Sequence, residues 1–252
     1  MSSSSPSTLL DKLNTINETN TLSVSIPSLS KPVSITGLNV KQQKDIIKTV
    51  ADGASSGITL TTAINDMILN NVQGDVELSI IDRYPIVLNQ RNKFVSNVIK
   101  LENGAEIDLV DHIAKCDEGV KTLKTKKSFK TKAGSIVVNV EIPTLKRDSE
   151  INSKAPKSAD DNVKETIGDL YVSEIVKFIS TIVDTDAGDE DAVYDFKTLG
   201  YNTCKRIVEA LPSTINQKII DIIGEVREIE NYYLQTEEGT IEITPAFFSV
   251  DA

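Results

Sequence analysis

His112 and Cys116 are the side chains of this 252-residue sequence best suited to chemistry. They stand one helical turn apart, with Asp108 and Asp111 nearby. Zinc takes four ligands, or three and a water, so the cluster reaches that number only by recruiting carboxylates. A hydrolase that depends on histidine would have to use His112, the only one present, as its base. A surface histidine beside a small apolar cysteine accounts for the pair more simply. The run from Asp184 to Asp191, with Asp195 beyond it, resembles a calcium loop in outline. Its Gly188 falls one place early, however, and the closing carboxylate is Asp195 where such loops use the longer Glu. A solvated connection between two helices explains the charge. Gly53-Ala54-Ser55-Ser56-Gly57 has the wrong order for a nucleophile elbow, and neither a phosphate loop nor a dinucleotide fingerprint occurs. The chain has 37 acidic residues, and no motif sets two of them apart as an acid/base pair. The expectation is a chain with no catalytic residue, no cofactor and no metal.

Lysines form a second chemical feature. In an extended strand over 121–132, Lys124, Lys126, Lys130 and Lys132 share one face, and Leu123 and Phe129 the other. Two readings are open: a solvated face whose lysines deter edge pairing, or a docking surface for an acidic partner. The cluster is a local exception, because the formal net charge is −10 and the pI about 4.8. That balance argues against nucleic-acid binding, which needs a basic footprint, and favours protein partners.

The elements behind these residues follow from apolar spacing. At 252 residues the chain can form one large domain or two modest ones. Trp is absent and aromatics are 5%, so Ile, Leu and Val must fill the core. Two cysteines, Cys116 and Cys204, are too few for a disulfide framework and suit a reducing cytosol. No apolar run approaches the roughly 18 residues that a membrane span needs, and the Ser-rich start lacks a signal core.

Residues 1–20 open as a Ser-rich tail and then carry Leu9, Leu10, Leu13 and Ile16 at helical spacing. They read either as a frayed tail or as an arm ordered against a neighbouring subunit, which would make the chain a homo-oligomer. Residues 21–147 read as an α+β domain. Leu22–Ile26 and Val33–Ile35 alternate as a hairpin, Asn39 and Gln42 cap a helix over Val40–Val50 that Gly53 ends, and helices follow at about 60–69 and 80–95. A β-rich insertion at about 97–147 turns at Asn103-Gly104 and again at Ala133-Gly134. Residues 148–164 are polar and proline-broken, a linker. The remainder, 165–252, reads as helical, with a helix carrying Ile167 to Ile182. Two further helices meet at Leu211-Pro212, the second opened by Thr214 and Gln217 and faced by Ile215, Ile219, Ile222, Val226 and Ile229 against the 166–182 helix. A terminal hairpin closes it, held by Tyr232, Tyr233, Leu234, Ile241 and Ile243. Phe247 and Phe248, adjacent aromatics at the chain end, read as apolar surface left for a partner, so that replacing both by Ser would impair assembly and spare folding.

Taken in order, five stretches form a pattern: LSVSIPSLSKPVSITGLNVKQQKDIIKTVADG, TAINDMILNNV, IIDRYPIVLNQRNKFVSN, VVNVEIPTL, and VYDFKTLGYNTCKRIVEALPSTINQKIIDII with its closing TPAFF. This set resembles the baseplate hub proteins of T-even-like contractile-tailed bacteriophages over about residues 21–248. Many members of that family place cysteines in the terminal hairpin; here NYYLQTEEGTIEIT has none, so a metal role does not carry over. The resemblance implies a non-enzymatic part of the tail baseplate, found in the virion and in host cytoplasm during assembly. Its partners would be other tail and baseplate proteins. A tail assembly chaperone, for example of the tape-measure protein, is the alternative.

Overall fold

Asn39 and Gln42 show how directly some of the local code is used. The Gln42 amide nitrogen donates to Asn39 Oδ1 at 2.9 Å, and the Asn39 amide donates back to Gln42 Oε1 at 3.0 Å. This reciprocal cap starts α2 (Val40–Ala51). The structure, a computed structural model, describes residues 6–51, 57–122, 128–155, 163–186 and 192–248. Helix α1 (Pro6–Thr19) leads into the hairpin of β1 (Thr21–Val24) and β2 (Val33–Thr36), whose connection holds Pro27 and Pro32. After α2 come α3 (Gly57–Asn71) and a 3-10 turn, Ile80–Asp82, that runs into α4 (Arg83–Phe94). Pro85 lies in the first turn of α4, where its missing N–H costs nothing.

Strands β3 (Val98–Lys100) and β4 (Glu106–Asp108) form the second hairpin, and Gly104 supplies its positive φ of 84°. Then follow α5 (Leu109–Thr122), β5 (Ser128–Ala133), β6 (Ile136–Glu141), α6 (Leu145–Lys154), α7 (Val163–Phe178), β7 (Ile179–Asp184), β8 (Ala192–Asp195), α8 (Tyr201–Ala210) and α9 (Ser213–Tyr232). A last 3-10 turn spans Pro245–Phe248. The fold is α+β. Its largest sheet is antiparallel throughout, in the order β5-β6-β7-β8.

Several expectations need correction. The 148–164 linker begins as helix α6, with Leu145 and Ile151 buried in the core. Its inward polar residues, Asp148 and Asn152, are also buried, so polarity there does not signal solvent. Thr144 caps it, its Oγ1 accepting from the Arg147 amide at 3.0 Å. Residues 156–162 lie outside the described residues. The 97–147 insertion is less β-rich than its turns suggest, because α5 fills its middle.

The helix drawn through Ile182 stops at Phe178. From Ile179 the chain is strand β7, whose Val183 and Ile182 pair with Val137 and Val138. Branched apolar residues satisfy either period, and the waiting strand decides. The acidic run therefore leaves a strand and enters another, where a helix–helix connection was expected; residues 187–191 of it are outside the described residues.

Helix α9 starts at Ser213 behind Pro212 without a side-chain cap, and Gln217 donates to Asp221 Oδ1 at 2.9 Å in place of closing a capping box. Ile223, and not Ile222, completes its buried face with Ile215, Ile219, Val226 and Ile229. The terminal hairpin is reduced to one bridge, Gln235 with Thr240, beneath which Tyr233 and Ile241 are buried. Gly53, expected to end α2, is outside the described residues.

Buried apolar side chains from both halves make one cluster, from Val24 to Phe248. Among the described residues, no helix is long and apolar enough to cross a membrane.

Candidate functional site

The interior is organised around charge. Arg83, 1% exposed, opens α4. Its Nη2 lies 2.5 Å from Asp148 Oδ2 of α6, its Nη1 pairs with Glu230 Oε1 of α9, and its Nε donates to Asn65 Oδ1 of α3 at 2.7 Å. Asp148 Oδ1 meets Lys177 Nζ of α7 at 2.8 Å, and the same ammonium lies 2.8 Å from Glu174. Arg227 of α9 pairs with both Glu174 and Glu230. Followed round, Arg83, Asp148, Lys177, Glu174, Arg227 and Glu230 form a closed ring of alternating sign. Asn65 Nδ2 adds a bond to Asp148 at 2.9 Å.

The charges match in number, so desolvation is met by mutual attraction. Burial raises the Asp148 carboxyl, but Lys177 and Arg83 outweigh it and hold the group below the usual range. Glu174 is likewise raised by burial and brought down further by Lys177 and Arg227. Burial lowers the Arg227 guanidinium, and Glu230 and Glu174 more than restore it. The ring leaves no titratable group poised between charge states near neutrality among those with shifted pKa values; it ties four helices together.

His112, expected at the surface, is buried instead. It sits under Tyr233, whose carbonyl oxygen is 2.8 Å from its Nε2. A carbonyl only accepts, so Nε2 carries the proton. Cys116 Sγ lies 3.6 Å from that nitrogen. Burial and then the charge of Asp117 push its thiol up to about 11, which makes it a poor nucleophile. Asp108, last in β4, turns to the helix that follows, accepting from the Val110 amide at 2.8 Å as α5 begins. Among the described residues no three His, Cys, Asp or Glu side chains gather as a metal site would require.

A groove of about 1530 Å³ runs beside the β1–β2 connection, lined by Lys31, Asp75, Glu77, Lys146 and Lys197. Its lining mixes both signs of charge. Asp82 anchors that connection. It accepts from the Ser28 amide and hydroxyl at 2.9 and 2.6 Å, and from those of Ser79 at 2.8 and 2.9 Å. Burial raises its pKa against these bonds. The carboxylate holds a loop, with its lone pairs committed to Ser28 and Ser79.

Phe247 and Phe248 are not surface left for a partner. They are 5% and 2% exposed, stacked edge to face with centroids 5.1 Å apart. Arg91 lies 5.0 Å over the Phe247 ring and donates to that residue's carbonyl, while Gln43 Nε2 of α2 donates to the Phe248 carbonyl at 3.1 Å. An aromatic chain end carries enough apolar area to be folded back onto its own molecule, and here it is. Lys130 and Lys132 are exposed on one side of β5, with Thr131 buried on the other. Lys124 and Lys126 lie outside the described residues.

Surface suited to contact lies elsewhere. On α1, Leu9, Leu10, Leu13 and Ile16 are 47–60% exposed. On the sheet edge β8, Val193 is 61% and Tyr194 46% exposed. The spacing of the α1 residues is visible in the sequence; that β8 would be an edge is not.

Comparison with family models, with curated proteins and with solved structures finds no match to this chain.

Proposed function

We propose that this chain is a non-enzymatic structural or assembly protein of a contractile phage-tail baseplate hub, acting through protein–protein contacts. The observation that carries contact as its mode of action is the row of exposed apolar side chains on α1, Leu9, Leu10, Leu13 and Ile16. A helix of this length is marginal in water unless something covers its apolar face. The ordered sequence stretches between residues 21 and 248 support the baseplate as the place of action. The buried charges are paired with one another, which suits a scaffold that must keep its shape under load. Virion tail and, during assembly, host cytoplasm are its locations in this reading.

The tail assembly chaperone, for example of the tape-measure protein, remains the second reading, favoured by the same helical face, which fits a helical client. Mass spectrometry of purified virions separates the two. A fixed small copy number in tails supports the hub component. Absence from tails, with a complex recovered from infected cells, supports the chaperone. Absence from both ends the proposal.

A further inference from the structure

The two edges of the β5-β6-β7-β8 sheet differ. At one edge β5 presents Lys130 and Lys132 and has α9 packed beside it, two of the devices by which sheets discourage new partners. At the other edge, β8 reads Ala192-Val193-Tyr194-Asp195, with no lysine, proline or glycine. Its register with β7 is unbroken, whereas the irregularity of this sheet sits between β6 and β7 at Asn139/Val140. Among the described residues, no hydrogen bond beyond the β7 ladder reaches Ala192, Val193 or Tyr194. Alternate residues of an edge strand aim their N–H and C=O outward, so backbone donors and acceptors stand ready in line. Val193 and Tyr194 flank them on opposite faces, both exposed.

We propose that β8 is a docking edge, at which an extended segment of another protein, apolar in its middle and lysine- or arginine-rich at its ends, adds as a fifth strand. Charge selects this occupant. Asp184 and Asp186 lie at one end of the β7–β8 hairpin and Asp195 at the other, while two nearby cations already have acidic partners. Lys197 lies 3.5 Å from Glu141, and Arg147, which donates to the Phe196 carbonyl at 3.0 Å, lies 3.5 Å from Glu150. A second copy of β8 would bring the same carboxylates against these, in a chain of net charge −10; a basic segment is attracted. Backbone bonding supplies affinity in such strand addition, and the side chains on either face supply selectivity. The proposal rests on the reading that this protein works through protein contacts, and it names one of the contacts.

The test uses the full chain and a fluorescein-labelled peptide, Lys-Arg-Val-Thr-Val-Tyr-Val-Lys-Arg, followed by anisotropy. Saturable binding is expected, severalfold weaker on raising salt from low to physiological strength and lost in the Val193→Lys/Tyr194→Lys variant. That variant should keep the wild-type circular dichroism and melting profile, since both side chains are exposed. Amide exchange at 192–195 should slow when peptide is added. A peptide of the same charge with proline at both valines flanking Tyr should not bind; equal binding would reduce the effect to charge alone and overturn strand addition. Overturned too is the proposal if the Lys variant binds as wild type does, or if sedimentation shows wild type pairing with itself through β8. None of these outcomes bears on whether the protein is found in virions, so the edge and the baseplate reading fail separately.

Discussion

In the ring that includes Arg83 the fold gathers six charged side chains, and on α1 and β8 it leaves six large apolar ones in solvent. Each inner charge has an opposite charge on the same chain within contact distance, so what desolvation takes is largely returned by attraction. The outer side chains have no such return among the described residues. Leu9, Leu13 and Ile16 follow a four-three spacing on one helical face, which is unlike the single scattered leucines that any protein surface carries. One region is complete in itself and the other is not, and that separates scaffold from contact surface. Phe247 and Phe248 sharpen the distinction. They look like the second kind in the sequence and behave as the first in the fold.

The largest effect should come from that pair. Truncating both rings to Ala removes two buried aromatics, each worth about 3–5 kcal/mol, one of them the Phe247 ring that Arg91 covers. Denaturant unfolding should show a loss large enough to leave the chain partly unfolded at ambient temperature. A double variant that melts as wild type does would return the chain end to the surface.

Next comes the ring. Arg83→Met takes one ionic partner each from Asp148 and Glu230, which keep only Lys177 and Arg227, and leaves one surplus negative charge in the interior. The midpoint of denaturant unfolding should fall by the equivalent of about 3 kcal/mol, the lower end of what breaking a buried pair costs. Adding Glu230→Gln to Arg83→Met restores equal numbers of opposite charges and should recover part of that loss, which distinguishes a surplus charge from a missing shape. Acid offers a second handle. Asp148 and Glu174 have folded pKa values below their unfolded ones. Their contribution is therefore in full force above the unfolded carboxylate pKa of about 4 and fades as pH drops through the folded values. Asp82, whose folded pKa is raised, works in the opposite sense over the range above the unfolded value. Stability below pH of about 4 should decline, and more gently in Asp148→Asn; an unchanged acid limb in that variant would remove Asp148 from the account.

How much of this could be read in advance depends on what each residue faces. Turns were legible because glycine must be there: Gly104 and Gly134 have φ of 84° and 59° in the hairpins expected at Asn103-Gly104 and Ala133-Gly134. The α2 cap and the α8–α9 break at Pro212 were legible for similar local reasons. Helix α6 was not, because its buried side includes Asp148 and Asn152, which resemble linker residues until their partners are seen. The ring left two traces. Arg83, next to Asp82, interrupts an otherwise mostly apolar stretch from Ile80 to Leu88, and Glu230 continues the 219, 223, 226 stripe of α9. A charge placed on an apolar stripe needs a partner, but the sequence does not name which. The edge position of β8 is a property of sheet order, which no local pattern encodes.

The smallest effect should fall on α1, and it is the one that decides whether the outer region is what the comparison makes it. Leu9→Ser/Leu13→Ser alters side chains that are 58% and 47% exposed, so little apolar area returns to water on unfolding. The expected change in unfolding free energy is within about 0.5 kcal/mol, the range of ordinary surface substitutions. Under the function proposed above, the same variant should fail to assemble tails, or to hold a helical client, in complementation of infected cells. Stability and assembly would then respond in opposite order to the two regions, the ring moving the first strongly and α1 only the second. A loss of several kcal/mol from the α1 variant would mean that this face is covered by its own chain, and α1 would join the interior.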